Sequence, residues 1–511
     1  MKNSVKRLIN LFVAAALILV VAACSDDEPT PSAAAPTIAA VATNPSSVTV
    51  GEKIQLSFDI TVPGVFASST ATGTNGNAEV ITDLNTGDTS GTIIVEFEGT
   101  TAGGGSVELT VNDAEGNSDD ITVVLTVEAE ATTVTVSSNI TGTVTWETGK
   151  TYILAGRITV LDGAVLNIEK GVVVKGQAGT GANATALLVA RGGTLNAAGE
   201  AEMPIIFTSI ADEISPEDIA AGNFASPNLA SDVSGLWGGV IILGKAKIST
   251  KNKTSGAQLS EVQIDGIPTS DTNGLYGGSD DEDNSGTITY ISIRHGGSNI
   301  GSGNEINGLT LGGVGSGTTI SNVEVVANQD DGIEFFGGTV SVTNAVVWNI
   351  NDDGIDTDQA WNGKLENFVV IAPNTAEAHC FELDGPEGTY INGNHTITKG
   401  TVVATVGDRK ATDLINVDNN TNATLSNIFI TGISADQDIN RTESDDTDVT
   451  FLTTFTGIEL DIPAGSSLAD YVSGNVPAGI TAASTPSTGV GADLSAFAWT
   501  WASTSTEWPG N

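Results

Sequence analysis

The chain has 511 residues and a formal net charge of −43, a balance that argues against nucleic acid and anionic membrane surfaces as partners. With 60 glycines and 5% aromatic residues, the composition favours strands and tight turns over helices. The length exceeds one ordinary core but suits a solenoid beside a smaller domain, and excess acid keeps long exposed β-structure soluble.

Residues 1–23 have the layout of a signal peptide. Lys2, Lys6 and Arg7 precede an apolar run from Leu11 to Ala23, which is too short for a stable transmembrane helix. Val21-Ala22-Ala23-Cys24 resembles the lipobox of bacterial lipoproteins. The resemblance implies cleavage before Cys24, acylation of that cysteine with palmitate-type chains, and anchorage in the outer membrane. Cleavage removes three basic and no acidic residues, giving a mature charge of −43 − 3 = −46. Ser25-Asp26-Asp27-Glu28 resembles the acidic signal that sends lipoproteins of the Bacteroidota to the cell exterior. Read from its residues alone, 24–35, with Pro29-Thr30-Pro31-Ser32, is a solvated tether. With Cys24 lipidated, Cys380 stands alone and no internal disulfide exists. Its context, His379-Cys380-Phe381, reads as a small buried residue.

Residues 36–129 read as a β-sandwich. Ser47 to Phe58 shows a turn followed by period-two alternation, and Ser106–Val111 with Ile121–Val127 reads as a hairpin. The module resembles the Ig-like and PKD-like spacers of bacterial surface proteins. From 131 to 440 short glycine-punctuated strands predict a parallel β-helix, with Gly163–Gly176, Leu187–Leu195, Pro204–Thr208 and Trp237–Gly244 as its first segments. Excursions at 211–234 and 249–286 interrupt it and shape one flank. Beyond 440 the period fades, and 441–511, ending in Trp499, Trp501 and Trp508, is expected to cap the last coil.

The strongest periodic signal is an echo of 22 residues. Asn328-Gln329-Asp330-Asp331-Gly332-Ile333-Glu334 is followed by Asn351-Asp352-Asp353-Gly354-Ile355-Asp356. Leu309, Ile333, Ile355 and Phe381 fall at matching points, spaced 24, 22 and 26. Asn322, Asn344, Asn367 and Asn427 recur in an apolar-x-Asn-apolar motif, with Tyr290 and Lys399 in the same place. Their stacked amides predict an asparagine ladder along the solenoid.

The β-helix half is similar to a group of bacterial surface β-helix lipoproteins, some labelled multidrug transporters. The resemblance rests on Trp237-Gly238-Gly239, Tyr276-Gly277-Gly278 and Asp330-Asp331-Gly332-Ile333-Glu334-Phe335-Phe336-Gly337-Gly338. It implies a right-handed, pectin-lyase-like helix and no particular activity. The expected fold is therefore all-β: an N-terminal Ig/PKD-like sandwich followed by a right-handed parallel β-helix.

Two readings of the acidic echo follow. In one, Asp330, Asp331, Asp352 and Asp353 turn corners with glycine at positive φ, while Glu334, Asp356 and Glu382, then Asp358 and Asp384, face outward on stacked strands. Carboxylates one coil apart, about 4.8 Å, repel by roughly 1 kcal/mol in water. Ca²⁺ would relieve a stack of Glu334, Asp356 and Glu382, with Asp280, Asp281 and Asp283 a weaker second cluster. In the other, the paired-Asp segment resembles that of polygalacturonase-type glycoside hydrolases. That resemblance implies catalytic roles for Asp331, Asp352, Asp353, His379, Arg409 and Lys410. The histidine lacks flanking glycines and no Arg-x-Lys is present. A lyase would draw its base from Arg294, His295 or Lys364, and Trp237, Phe336, Trp348 and Trp361 could stack on sugar or fill the core. The expectation is a cell-surface lipoprotein presenting a β-helix to glycans or proteins without catalysis. The alternatives are a polysaccharide-degrading hydrolase or Ca²⁺-dependent lyase, and a subunit of an outer-membrane complex.

Overall fold

A computed structural model describes residues 32–510 apart from 266, 302–304, 374–377, 419 and 442–451. The expected signal peptide, Cys24 and most of the expected tether lie outside the described residues. The chain divides into two compact units at Glu130.

In the first unit, Thr37–Ala40, Lys53–Thr61, Ser90–Gly99 and Gly76–Thr82 form one four-stranded sheet in that order. Ser47–Thr49, Ser118–Glu128, Gly103–Asp113 and Phe66–Thr74 form another. Alternation sets the inward face: Leu56, Phe58 and Ile60 are buried while Gln55 and Asp59 face water. They share a core with Phe97, Leu109 and Val111.

The second unit is a parallel β-helix. Its coils contribute to a nine-stranded and a fifteen-stranded sheet: the early coils give the larger sheet two short strands each, such as Val165–Glu169 and Val173–Gly176, and from Gly286 to Leu460 each gives it one longer strand. Ile333–Phe336 pairs in parallel with Ile355–Asp358, and Ser341–Trp348 with Lys364–Ile371. The echo is this register: Ile333 lies opposite Ile355, and Ile355 opposite Phe381. Stacked apolar columns fill the interior, such as Ile320, Val342, Leu365 and Ile397. Where Phe368 is large its neighbour Gly400 is small, and a Cβ there would sit 1.9 Å from the ring. Each buried aliphatic of this kind contributes about 1.5–3 kcal/mol.

The long strands bend at one left-handed residue each. Tyr290, Asn322, Asn344, Asn367, Lys399 and Asn427 have φ between 50° and 61°, and Gly457 takes the place at 63°. The predicted ladder runs along this corner: Asn344 Nδ2 donates to Asn322 Oδ1 at 2.9 Å, and Asn367 Nδ2 to Asn344 Oδ1 at 2.8 Å. Asparagine suits the corner because it tolerates left-handed backbone and its amide both donates and accepts.

Three expectations need correction. Gly332 and Gly354 do not have positive φ. They are glycines because successive coils close on them: a Cβ at Gly332 would lie 2.5 Å from Gly354 O, and one at Gly354 2.7 Å from Cys380 O. Coils also continue past 440, since Thr454–Leu460 and Ile480–Ala482 extend the long sheet. The tryptophan tail does not cap the last coil. The outer face of the long sheet carries an apolar stripe of Val326, Val346, Trp348, Val369 and Ile371, and the tail folds back over it with Phe497, Trp501 and Trp508. Ala502 N donates to Glu324 Oε1 at 2.9 Å, and Asp493 N to Asn367 Oδ1 at 2.7 Å. The tail is a strap along the flank.

Candidate functional site

The nine-stranded sheet organises the acidic residues into columns. Two positions before the inward-facing Leu309, Ile333, Ile355, Phe381 and Ile415 stand Asn307, Asp331, Asp353, His379 and Asp413. One position after them stand Thr310, Glu334, Asp356, Glu382 and Asn416. Three positions after Ile333, Ile355 and Phe381 come Phe336, Asp358 and Asp384.

Glu334 and Asp356 point away from the solenoid interior, as expected, yet are only 7% and 8% exposed. The cause is the excursion at 249–286, whose Ile264, Ile267 and Tyr276 pack against Ile241, Leu243, Ile306 and Phe336. It is tied down by Asp283, whose carboxylate accepts from Lys245 N at 3.1 Å, and by a contact between Asp281 and Lys247 Nζ. Asp280 accepts from Glu282 N at 3.2 Å. Asp281 and Asp283 therefore hold the loop in place, while the Asp280 side chain turns the chain within it. Among the described residues they are not one of the groups whose ligand atoms converge.

Between the excursion and the sheet lies a cleft of about 320 Å³, lined by seven carboxylates: Asp265, Glu305, Asp330, Asp331, Glu334, Asp352 and Asp358. Among the described residues no basic side chain lines it; Asn307 and Thr310 add to the polar floor, and Phe336 with Ile241, Ile264 and Ile306 makes the apolar part. Asp331 and Asp353 are not simple corner residues. Asp331 Oδ1 accepts from Asp353 N at 2.9 Å, and Asp353 Oδ1 accepts from His379 N at 2.5 Å while lying 2.8 Å from His379 Nδ1. Each carboxylate thus bonds the coil that follows.

Burial beside like charge raises the pKa of seven carboxyls: Asp330, Asp331, Glu334, Asp353, Asp356, Asp358 and Asp384. Burial, then Asp352, pushes Asp330 up to about 7. Burial, then Glu387, does the same for Asp358. Asp353 rises to about 10 through burial and Glu382, and Asp384 to about 8 through burial and Asp358. Asp331, Glu334 and Asp356 stand well above the usual carboxylate range, again from burial first and neighbouring acids second. Such a floor must hold protons or a cation. It also offers many acceptors to a hydroxyl-rich ligand.

The remaining predicted residues separate. Glu382 leaves the set with Glu334 and Asp356; it converges instead with Asp353 and His379, while Asp331 joins Glu334 and Asp356. Arg409 pairs with Glu507 at 2.5 Å, and Lys410 with Asp436, so neither completes a catalytic set with Asp331. Arg294 is buried against Glu324 under Trp501, His295 Nδ1 contacts Val233 O at 2.6 Å, and Lys364 pairs with Glu366. Trp237, Trp348 and Trp361 are buried, whereas Phe336 remains half-exposed in the cleft. Cys380 is a free, fully buried thiol. Sequence reasoning missed Asn307, Asp265 and Glu305. Asn307 was findable, because it precedes Leu309 by the two positions that separate Asp331 from Ile333. Asp265 lies in the aperiodic excursion and gives no such signal.

A family profile described as a pectate-lyase-like beta helix domain matches residues 138–505. No curated protein matches the chain. Among solved structures, a family 28 exopolygalacturonase from Yersinia enterocolitica is similar at 11% identity, with 88% of this chain and 98% of that chain covered and a TM-score of 0.23.

Proposed function

The chain belongs to the pectate-lyase-like β-helix domain family, and from that premise we propose that it is a glycan-binding protein of the cell surface. The observation that carries this reading is the open cleft lined, among the described residues, by seven carboxylates and no basic side chain, with Phe336 on one wall. Carboxylates accept hydrogen bonds from sugar hydroxyls, and an aromatic face supports a pyranose ring. The charge disfavours an acidic polysaccharide and suits a neutral one. The two four-stranded sheets would serve as an Ig/PKD-like spacer, the solenoid would be right-handed as crossover connections nearly always are, and Cys24 would carry the lipid that places the cleft outside the outer membrane.

A glycan array probed with the mature chain tests this. Binding to neutral glycans that falls about tenfold or more in Phe336→Ala is expected, since a lost aromatic contact of roughly 1.5 kcal/mol changes affinity about that much. No binding to any glycan would overturn the reading.

A hydrolase is the second reading, favoured by one feature. Asp330 and Asp358, held at about 7, would be half protonated at neutral pH, as a general acid requires. Release of reducing ends from a polysaccharide panel would support it, and binding without turnover would remove it. A lyase is disfavoured, because no basic side chain among the described residues lines the cleft.

A further inference from the structure

We propose that one stretch of the long sheet's outer face, the part before the asparagine corner, is an ice-binding surface. The inference does not rest on the glycan reading, because the cleft belongs to the other sheet.

Six coils build the face as outward, inward, outward triplets. Three are Thr287-Ile288-Thr289, Thr319-Ile320-Ser321 and Ser341-Val342-Thr343; three more are Thr396-Ile397-Thr398, Thr424-Leu425-Ser426 and Thr454-Phe455-Thr456. The middle residue of each is buried in the solenoid core, and every outward hydroxyl residue except Thr398 is at least partly exposed. Between the two sets lies one coil with Lys364-Leu365-Glu366. Twelve of the fourteen outward residues are therefore threonine or serine. Strand propensity favours threonine but does not explain the rows. Beyond the corner the same strands place Glu324, Val346, Val369 and Phe429 outward, and the short sheet places Glu334, Asp356 and Glu382 outward.

The rows form a two-dimensional grid. Strands stack about 4.8 Å apart, and residues two apart on a strand are separated by about 6.6 Å. Ice has a grid of similar size: tetrahedral water with an O···O distance of about 2.75 Å puts second-neighbour oxygens about 4.5 Å apart and repeats its layers at about 7.4 Å. The mismatch along the rows, about 0.3 Å per coil, reaches only about 0.6 Å across three coils. The charged coil divides the face into two such sets, so neither drifts further out of step. Ser426 Oγ donates to Thr398 Oγ1 at 2.8 Å, and Thr454 Oγ1 to Thr424 Oγ1 at 3.4 Å, which orders these side chains before any ligand arrives. A hydroxyl carries one donor and two acceptors, so bonding capacity toward water remains.

Charge and composition select the partner. In a chain of net charge −43, the rows hold one acid, Glu366, and it is matched by Lys364 and by Lys399 at 2.7 Å. A face so nearly neutral suits an uncharged lattice. The fourteen outward residues include no aromatic ring to serve a sugar as a platform, so ice fits better than a crystalline glycan.

Growing an ice front slowly through a dilute solution of the mature chain tests the face, with the protein measured in ice and in liquid. Enrichment in the ice is expected, where an ordinary solute is excluded. Thr319→Tyr with Thr424→Tyr, one in each set, should abolish the enrichment. Thr319→Ser with Thr424→Ser, which keeps both hydroxyls, should retain it, and Thr122→Tyr, at an exposed position of the first unit, should leave it unchanged. Should the tyrosine pair lower Tm, Thr319→Lys with Thr424→Lys makes the same test by charge. Exclusion of the wild type from ice, or equal enrichment in the folded tyrosine or lysine pair, would overturn the proposal. So would retention on crystalline chitin or cellulose that these pairs lose while ice excludes the chain, which would assign the face to a glycan.

Discussion

His395 is fully buried beside Trp361, with ring centroids 5.0 Å apart and 26° between planes. Its Nε2 has no partner among the described residues, and burial holds the imidazole down to about 4. The unfolded imidazole titrates near 6.5, so protons bind the unfolded chain first. The contribution of neutral His395 to stability is therefore complete above about pH 6.5 and lost as pH falls to about 4, in total about 3 kcal/mol. Urea melts across that window should show the loss, and His395→Phe should flatten it. An unchanged acid limb in the variant would place the sensitivity in other groups. The floor carboxyls oppose this trend: their raised folded pKa values make the fold more stable in acid and less stable as pH climbs toward 8. The two windows overlap, so only the variant isolates the imidazole.

The coil is held at its corners by two different devices. One is the asparagine ladder, whose residues combine a left-handed backbone with side-chain bonds along the axis. Asn344→Ala keeps neither, at about 1–2 kcal/mol for the backbone and about 1 kcal/mol for each of two bonds. Asn344→Gly keeps the backbone and should lose less. Denaturant melts should rank wild type, glycine variant and alanine variant in that order; the reverse order of the two variants would show that the backbone is not strained there. The other device is the glycine column at Gly332 and Gly354, where the chains simply approach too closely for a Cβ. The first was legible in the sequence because Asn322, Asn344 and Asn367 repeat in step with their apolar neighbours. The second was visible but misread, since a stacked glycine and a turn glycine look alike in one dimension. Burial of Glu334 and Asp356 was not legible. Period-two alternation gives the side of the strand, and here an aperiodic excursion, through Ile264, Ile267 and Tyr276, covers that side.

Across the whole second unit, the strap is what the solenoid rules did not anticipate. Repeat packing ties each coil to its neighbours alone, whereas residues 493–508 reach back across several coils. A chain ended at residue 490 would bare Val346, Trp348, Val369 and Ile371 and leave the buried Arg294–Glu324 pair without its Trp501 cover. Removing a single large aromatic from such a seam costs about 3–5 kcal/mol. The truncated chain should bind a hydrophobic dye, melt several degrees lower and aggregate on heating. Unchanged dye binding would mean that the stripe is covered by something else. The bond between Ala502 and Glu324 spans 178 positions. A solenoid can otherwise assemble in the order in which it is made, each coil templated by the one before. At ~5–20 residues per second the ribosome needs roughly 10–40 s to deliver the strap after its docking stripe. The finished coils must wait through that interval with an apolar flank bare, so the timing of the last residues, rather than the pairing of strands, sets how long the nascent protein is vulnerable to sticking.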